Sequence, residues 1–232
     1  MNKVYIKGIG LYPFSSRQQI AHYAADHPGI LVAINAEKII NQTAETRDII
    51  NRNIGYCDGA GPQLALRHMG HRDATKVAGC ELWLFLVEHF YKHKTFYLVG
   101  GKQEVIEQTV AKLKSQFEGI QIIGSRNGYL HGESEEETLI QDIANKKPDI
   151  VFVAMGSPKQ ELLMEKMLKR HKAIYQGLGG SFDVYIGLVK RAPQWWIDHN
   201  IEWLYRLISQ PQRIKRQAKL IKFLWWIVAK KL

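Results

Sequence analysis

Cysteine is scarce: the 232-residue chain has only Cys57 and Cys80. Their separation matches no zinc or redox spacing. That excludes a disulfide framework or a thiolate metal centre and fits a reduced, cytosolic protein. No G-x-G-x-x-G follows a strand-like run, so a nicotinamide-dependent oxidoreductase is disfavoured. No GxxxxGK[ST] occurs, so the chain is not a P-loop NTPase. Asp-x-Asp is also missing. That pair commonly holds a divalent metal on a diphosphate. Its absence leads us to expect no metal and no cofactor, with any diphosphate charge met by backbone N–H groups and Arg or Lys. Long apolar runs are lacking too. Residues 223–229 form the longest uncharged apolar run near the end, too short to span a bilayer. Lys3 and Lys7 interrupt the start, so nothing there resembles a signal peptide.

Acidic residues are missing from residues 205–232, which carry eight Lys or Arg. The other 204 residues hold 24 basic and 22 acidic side chains, so the net charge of +10 sits mostly in the tail. A local basic patch points to a local anionic partner and away from nucleic acid. An apolar content of 46% is ample for a core, and the length fits one large α/β domain or a domain plus an appendage. We place the boundary at residues 190/191.

Strand-like runs at residues 4–11, 29–34, 54–57, 76–79, 95–99, 120–124, 149–154 and 173–178 alternate with helical patterns at 15–25, 44–53, 63–69, 81–91, 103–117, 133–145 and 162–170. That alternation predicts a mostly parallel, Rossmann-like sheet with helices on both faces. In such folds ligands bind at the carboxyl ends of the strands. The polar cluster Asn35-Ala-Glu-Lys38 falls at one of those ends. Asp58 falls at another, on a Gly-rich turn.

The most informative stretch is Val153-Ala-Met-Gly-Ser-Pro-Lys-Gln-Glu161, a buried strand running into a helix. Gly156 permits a tight turn, Ser157 suits a helix cap and Pro158 suits the first helical position. The N–H groups of a helix start favour an anion, Lys159 adds positive charge, and Gln160 both donates and accepts. The segment reads as a phosphate or sugar site, or as a well-capped strand–turn–helix junction.

Asp58 is the best candidate for a general base that takes a proton from an attacking hydroxyl. The alternative is an Asp making local turn hydrogen bonds. His89 and His93 have zinc-compatible spacing on a predicted helix, but no third ligand accompanies them, and a surface pair is the better reading. The same holds for His68 and His71.

After residue 187 the texture becomes aromatic and basic. Ile214, Ala218, Ile221, Trp225, Val228 and Leu232 share one face of a helix running to the end. Lys215, Arg216, Lys219 and Lys222 share another. That pattern describes a helix lying in an anionic membrane interface, or one docked on the sheet with a solvated basic side. The guanidinium forks of Arg206, Arg213 and Arg216 suit phosphate oxygens.

These residues together resemble the WecG/TagA/CpsF family of bacterial glycosyltransferases. The resemblance is carried in order by Leu31-Val-Ala-Ile-Asn-Ala-Glu-Lys38, Tyr56-Cys-Asp-Gly59, Leu98-Val-Gly-Gly101, Gly128-Tyr129, the 153–161 stretch, Gly179-Gly-Ser-Phe-Asp-Val184, Lys190-Arg-Ala-Pro193 and the run from Ile201 to Gln217. The Asn35 segment and the closing block are most similar to the branch that transfers N-acetyl-D-mannosaminuronic acid in enterobacterial common antigen synthesis.

The resemblance implies a Rossmann-like core whose C-terminal appendage completes the site at the inner face of the cytoplasmic membrane. It implies metal-free inverting transfer from a UDP-sugar to N-acetylglucosaminyl-diphospho-undecaprenol. Asp58 would be the base and Asn35 would lie beside it. Tyr129 and Asp183 would face the uridine. Gly100, Ser157, Lys159 and Gln160 would line the substrate pocket, and Arg206, Arg213 and Arg216 would hold the lipid diphosphate. A donor carboxylate would need a cation, for which Lys38, Lys159 and Arg191 all qualify. Some relatives carry a hydroxyl residue where this chain has Ala33. N-acetylmannosamine is the alternative donor.

Overall fold

A computed structural model describes residues 1–190 and residues 192, 193, 195, 196, 204, 205, 208, 223, 225 and 226. The first strand-like run is two strands. β1 (Val4–Ile6) pairs antiparallel with β2 (Ile9–Leu11). Lys7 and Gly8 both have positive φ, 51° and 78°, the geometry of a two-residue hairpin turn whose twist matches its strands. Val4 and Ile6 fall at even positions and Ile9 and Leu11 at odd ones, so the weak alternation over residues 4–11 changes phase at the turn.

The expected parallel sheet is present. β3 (Ile30–Ile34), β4 (Ile54–Cys57), β5 (Thr95–Gly100), β6 (Gln121–Arg126), β7 (Ile150–Ala154) and β8 (Ile174–Gly177) form a six-stranded sheet in the order β4-β3-β8-β7-β5-β6, every pairing parallel. The helices are α1 (Arg17–Asp26), α2 (Ala36–Asn41), α3 (Ala44–Arg52), α4 (Ala60–His68), α5 (Gly79–Phe90), α6 (Gln103–Gln116), α7 (Glu133–Lys146), α8 (Lys159–Arg170) and α9 (Ser181–Tyr185).

Alternate strand residues feed two cores. Phe96, Leu98, Ile150 and Phe152 pack with α1, α5, α6 and α9 on one face. Tyr97, Val99, Val151 and Val153 pack with α2, α3, α4, α7 and α8 on the other. Burial on both faces explains why these strands read as continuous apolar runs. The five-residue α9 is too short to hold itself. Trp83 secures it, meeting Phe182, Tyr185 and the β7 residue Phe152 edge-on at centroid distances of 5.6, 5.1 and 5.6 Å. Each such pair is worth about 0.5–1.5 kcal/mol beyond area burial.

Two expectations need correction. Residues 76–79 are not a strand. They are extended chain, held by single backbone bonds from Thr75 N–H to Phe14 O and from Val77 N–H to Cys57 O, and Gly79 already opens α5. A run as short as Lys-Val-Ala-Gly cannot distinguish a strand from the lead into a buried helix. His93 lies beyond the end of α5, so it shares no helix face with His89, whose ring stacks on Phe85. Among the described residues near the C-terminus, Phe223 is fully buried and Trp226 packs against the same cluster. Trp225, the only residue of the anticipated stripe among those described, is exposed.

Candidate functional site

All six sheet strands run the same way, so their carboxyl ends share one edge. The adjacent strands β3 and β8 send their connections to opposite faces. The chain leaves β3 for α2, whose Ile39 joins one core, and leaves β8 for α9, whose Phe182 joins the other. Diverging connections open a crevice between strand ends, the usual ligand position in open α/β sheets.

Asp58 sits at the end of β4, half-buried, with its backbone N–H donating to Ile34 O at 2.8 Å. Gly59 follows with φ 113°, and α4 starts directly after it. A side chain on Gly59 would meet Asn35 Cβ at 3.9 Å. Asp58 and Asn35 therefore occupy adjoining positions at the ends of neighbouring strands. Asn35 is more than a loop residue: it N-caps α2, its side-chain oxygen accepting from Lys38 N–H at 2.8 Å.

Burial and then the Asp58 charge raise the neighbouring Cys57 thiol to about 12, while Lys76 and Arg67 act in the opposite direction. Burial and the Asp58 charge also push the Tyr56 phenol upward. Lys76 and Arg67 thus bring positive charge to this corner. Sequence reading passed over both, because neither belongs to a compact motif.

The 153–161 stretch reaches the same crevice, with two changes to its expected capping. α8 begins at Lys159, with Pro158 at the cap position and no side-chain cap bond. Ser157, placed as the cap by sequence, is exposed and lies outside the helix. Gly156, at φ 78°, turns the chain, so the first helical bond runs from Gln160 N–H to Gly156 O at 2.9 Å. Lys159 is exposed and forms no ion pair with the described residues. Gln160 is buried, and its Oε1 accepts from Gly179 N–H at 3.0 Å. Asp183 is half-buried in the first turn of α9, and a side chain on Gly180 would lie 3.9 Å from its Oδ2.

Glu161 is the feature that motif reading left without a role. Its side chain is 2% exposed, and Oε1 accepts from Lys38 Nζ at 2.7 Å and from Gln160 Nε2 at 3.2 Å. Burial alone would raise this carboxyl, but Lys38, Ser157 and Gln160 outweigh it, and the net shift is below the ordinary 4.5. A carboxyl whose folded value is depressed stabilises the fold above its unfolded value, and that contribution is lost as pH falls through the folded value. The melting-temperature gap between wild type and Glu161→Gln is expected to be widest at neutral pH and to close below about pH 4.5. A gap independent of pH would show that the Glu161 charge contributes nothing.

A second group lies across the sheet, at the ends of β5 and β6. Gly100 and Gly101 have φ of 133° and 68°. Gly128 N–H donates to Gly101 O at 2.9 Å, and a side chain on Gly128 would meet Gly100 Cα at 3.1 Å. Tyr129 N–H donates to Asn127 Oδ1 at 3.0 Å, and this turn leaves the Tyr129 ring 55% exposed, open to stacking. Asn35, Asp58 and Gln160 thus gather at the β4–β3–β8 ends, and Gly100 and Tyr129 at the β5–β6 ends, with residues 155–159 between. Arg191, Arg206, Arg213 and Arg216 lie outside the described residues.

Among the described residues no three His, Cys, Asp or Glu side chains converge, and no helix is long and apolar enough to cross a membrane. The sequence model of the glycosyl transferase WecG/TagA/CpsF family matches residues 6–232.

Proposed function

Since the chain belongs to the WecG/TagA/CpsF glycosyltransferase family, we propose that it moves N-acetyl-D-mannosaminuronic acid from its UDP-sugar to N-acetylglucosaminyl-diphospho-undecaprenol, with inversion and without a metal. This is a step of enterobacterial common antigen synthesis. The observation that carries the reading is the adjoining placement of Asp58 and Asn35 at the ends of β4 and β3. An inverting displacement needs one base beside the attacking hydroxyl. The Asp58 carboxylate takes the proton of the acceptor 4-hydroxyl. The new oxygen–carbon bond forms as the anomeric carbon–phosphate oxygen bond breaks, and UDP leaves with the electron pair. Donors that meet the developing diphosphate charge lower the barrier. The Gly179 turn, the start of α8 and the basic tail are suited to that task.

In this reading Tyr129 stacks on uracil and Asp183 bonds the uridine. Residues 191–232 form a membrane-associating appendage on the core of residues 1–190, and its arginines hold the lipid diphosphate. Leu188, Trp195, Ile208 and Trp225, each more than half exposed, support a place on the anionic inner face of the membrane.

Lys38 is engaged by Glu161, which leaves Lys159 and Arg191 as the cations for a donor carboxylate, and we take the exposed Lys159 at the start of α8 for that role. A charged hydrogen bond is worth about 1.5–3 kcal/mol. Lys159→Met is therefore expected to raise KM for the uronic-acid donor about tenfold or more, with little change for UDP-N-acetylmannosamine. The neutral sugar is the second reading, favoured by the same engagement of Lys38. Parallel assays with both donors on a lipid-linked N-acetylglucosaminyl diphosphate decide between them. Transfer of the neutral sugar alone would move the pathway and keep the chemistry. Transfer of neither, with membranes present, would sink the glycosyltransfer step proposed here.

A further inference from the structure

Resting on that reading, we infer that Lys38 and Glu161 are positioning residues: a buried ion pair that orients the Gln160 amide and, through it, fixes the Gly179 turn against the start of α2, which Asn35 caps. Four hydrogen bonds make the path. Lys38 N–H donates to Asn35 Oδ1 at 2.8 Å, and Lys38 Nζ to Glu161 Oε1 at 2.7 Å. Gln160 Nε2 donates to the same Oε1 at 3.2 Å, and Gly179 N–H to Gln160 Oε1 at 3.0 Å. The chain separation bridged by the ion pair is 123 residues.

The direction of each bond follows from chemistry. An ionised carboxylate only accepts, so Glu161 draws the Gln160 –NH2 toward itself. The amide carbonyl must then face away, where Gly179 N–H meets it. Lys38 supplies the charge that keeps Glu161 ionised while buried, since an unpaired buried carboxylate neutralises instead. Both donors converge on Oε1, and Oε2 makes no hydrogen bond with the described residues. The Gln160 amide also needs space. A side chain on Gly177 would sit 2.4 Å from its Nε2, so the glycine at the end of β8 is part of the same device. The bare ion pair lacks direct access to a ligand: Glu161 is 2% exposed and Lys38 15%.

The test joins amide exchange with kinetics. In Lys38→Met, exchange of the segment containing Gly179 is expected to rise at least tenfold, and kcat/KM for the UDP-sugar to fall about tenfold, mostly through KM. Gln160→Leu is expected to show the larger loss, and Lys38→Met/Gln160→Leu to be no worse than Gln160→Leu alone, because both act through one amide. Should Lys38→Met not fold, Lys38→Met/Glu161→Met replaces the pair by apolar groups of similar size and preserves the fold. It is expected to show the same faster exchange and weaker donor use. Unchanged Gly179 exchange in a folded variant, or losses that multiply in the double variant, would overturn the inference. Faster exchange in a protein that transfers no sugar would uphold the positioning and refute the function assigned to it.

Discussion

Asp58→Asn is expected to lower the rate of sugar transfer by about a hundredfold to ten-thousandfold, the range set by loss of a general base. At about 1.4 kcal/mol per tenfold, that is roughly 3–5 kcal/mol of barrier. The amide has the shape of the carboxylate but cannot take the acceptor proton. The fold is expected to stand, since the backbone bond from Asp58 N–H to Ile34 O and the Gly59 turn do not depend on the side chain, and Asn keeps its size and its ability to accept hydrogen bonds. Affinity for UDP and melting temperature are therefore expected to stay near wild type while kcat collapses. An Asn variant with more than a tenth of wild-type kcat would exclude Asp58 as the base. A variant that lost UDP binding as well would place the carboxylate among the binding groups instead.

Gly100→Ala is expected to be the most damaging single-methyl change at the strand ends. Its φ of 133° lies outside the range a side chain tolerates well, and the added carbon would stand 2.3 Å from Ala154 O and 2.8 Å from Ala154 Cα. Gly100 and Ala154 are the last paired residues of β5 and β7, so relief requires the two strands to part. Strain of about 1–3 kcal/mol and overpacking of about 1–3 kcal/mol together imply a fall in melting temperature of about 5–20 °C for a chain of this size. The Tyr129 turn rests on Gly100 through Gly128, so UDP affinity should fall too. Gly156→Ala is the control. It has φ 78° but nothing within 4 Å of the added carbon, so it should cost strain alone, about 1–2 kcal/mol. Equal losses in the two variants would show that the Ala154 clash is relieved without cost.

The sheet was legible in the sequence because β3, β5, β7 and β8 are buried on both faces and stand as apolar runs between helices of ordinary length. The positions of Asp58 and Asn35 were legible because each directly follows an apolar strand run, at the carboxyl end where open α/β sheets bind ligands. Other features depended on partners distant in the chain. The Lys38–Glu161 pair spans 123 residues, and Glu161 looks in sequence like an ordinary acid in the first turn of a helix. Gly177 reads as the end of a strand, and its need to be glycine appears only with Gln160 lying across it. The hairpin at Lys7 and Gly8 shows in the sequence only as a one-residue change of phase between Ile6 and Ile9, in a run too short to make that change stand out. Near the C-terminus the regular apolar spacing drew attention to Trp225, while Phe223 found the opening beside Gly61.

That opening bears on how the protein is handled at the bench. The Phe223 ring lies 3.2 Å from where a side chain on Gly61 would begin, and next to Ala36. Gly61 and Ala36 follow Asp58 and Asn35 within a few residues, and Lys7 adds a cation over the Trp226 ring at 5.0 Å. Trimming the chain before Phe223 to aid solubility would thus remove a wedge from beside the proposed site at Asp58 and Asn35. Detergent micelles that draw off the aromatic terminus are expected to slow turnover in the same way. Inhibition of that origin would be mistaken for competition with a lipid acceptor unless a soluble donor-binding assay were run beside it.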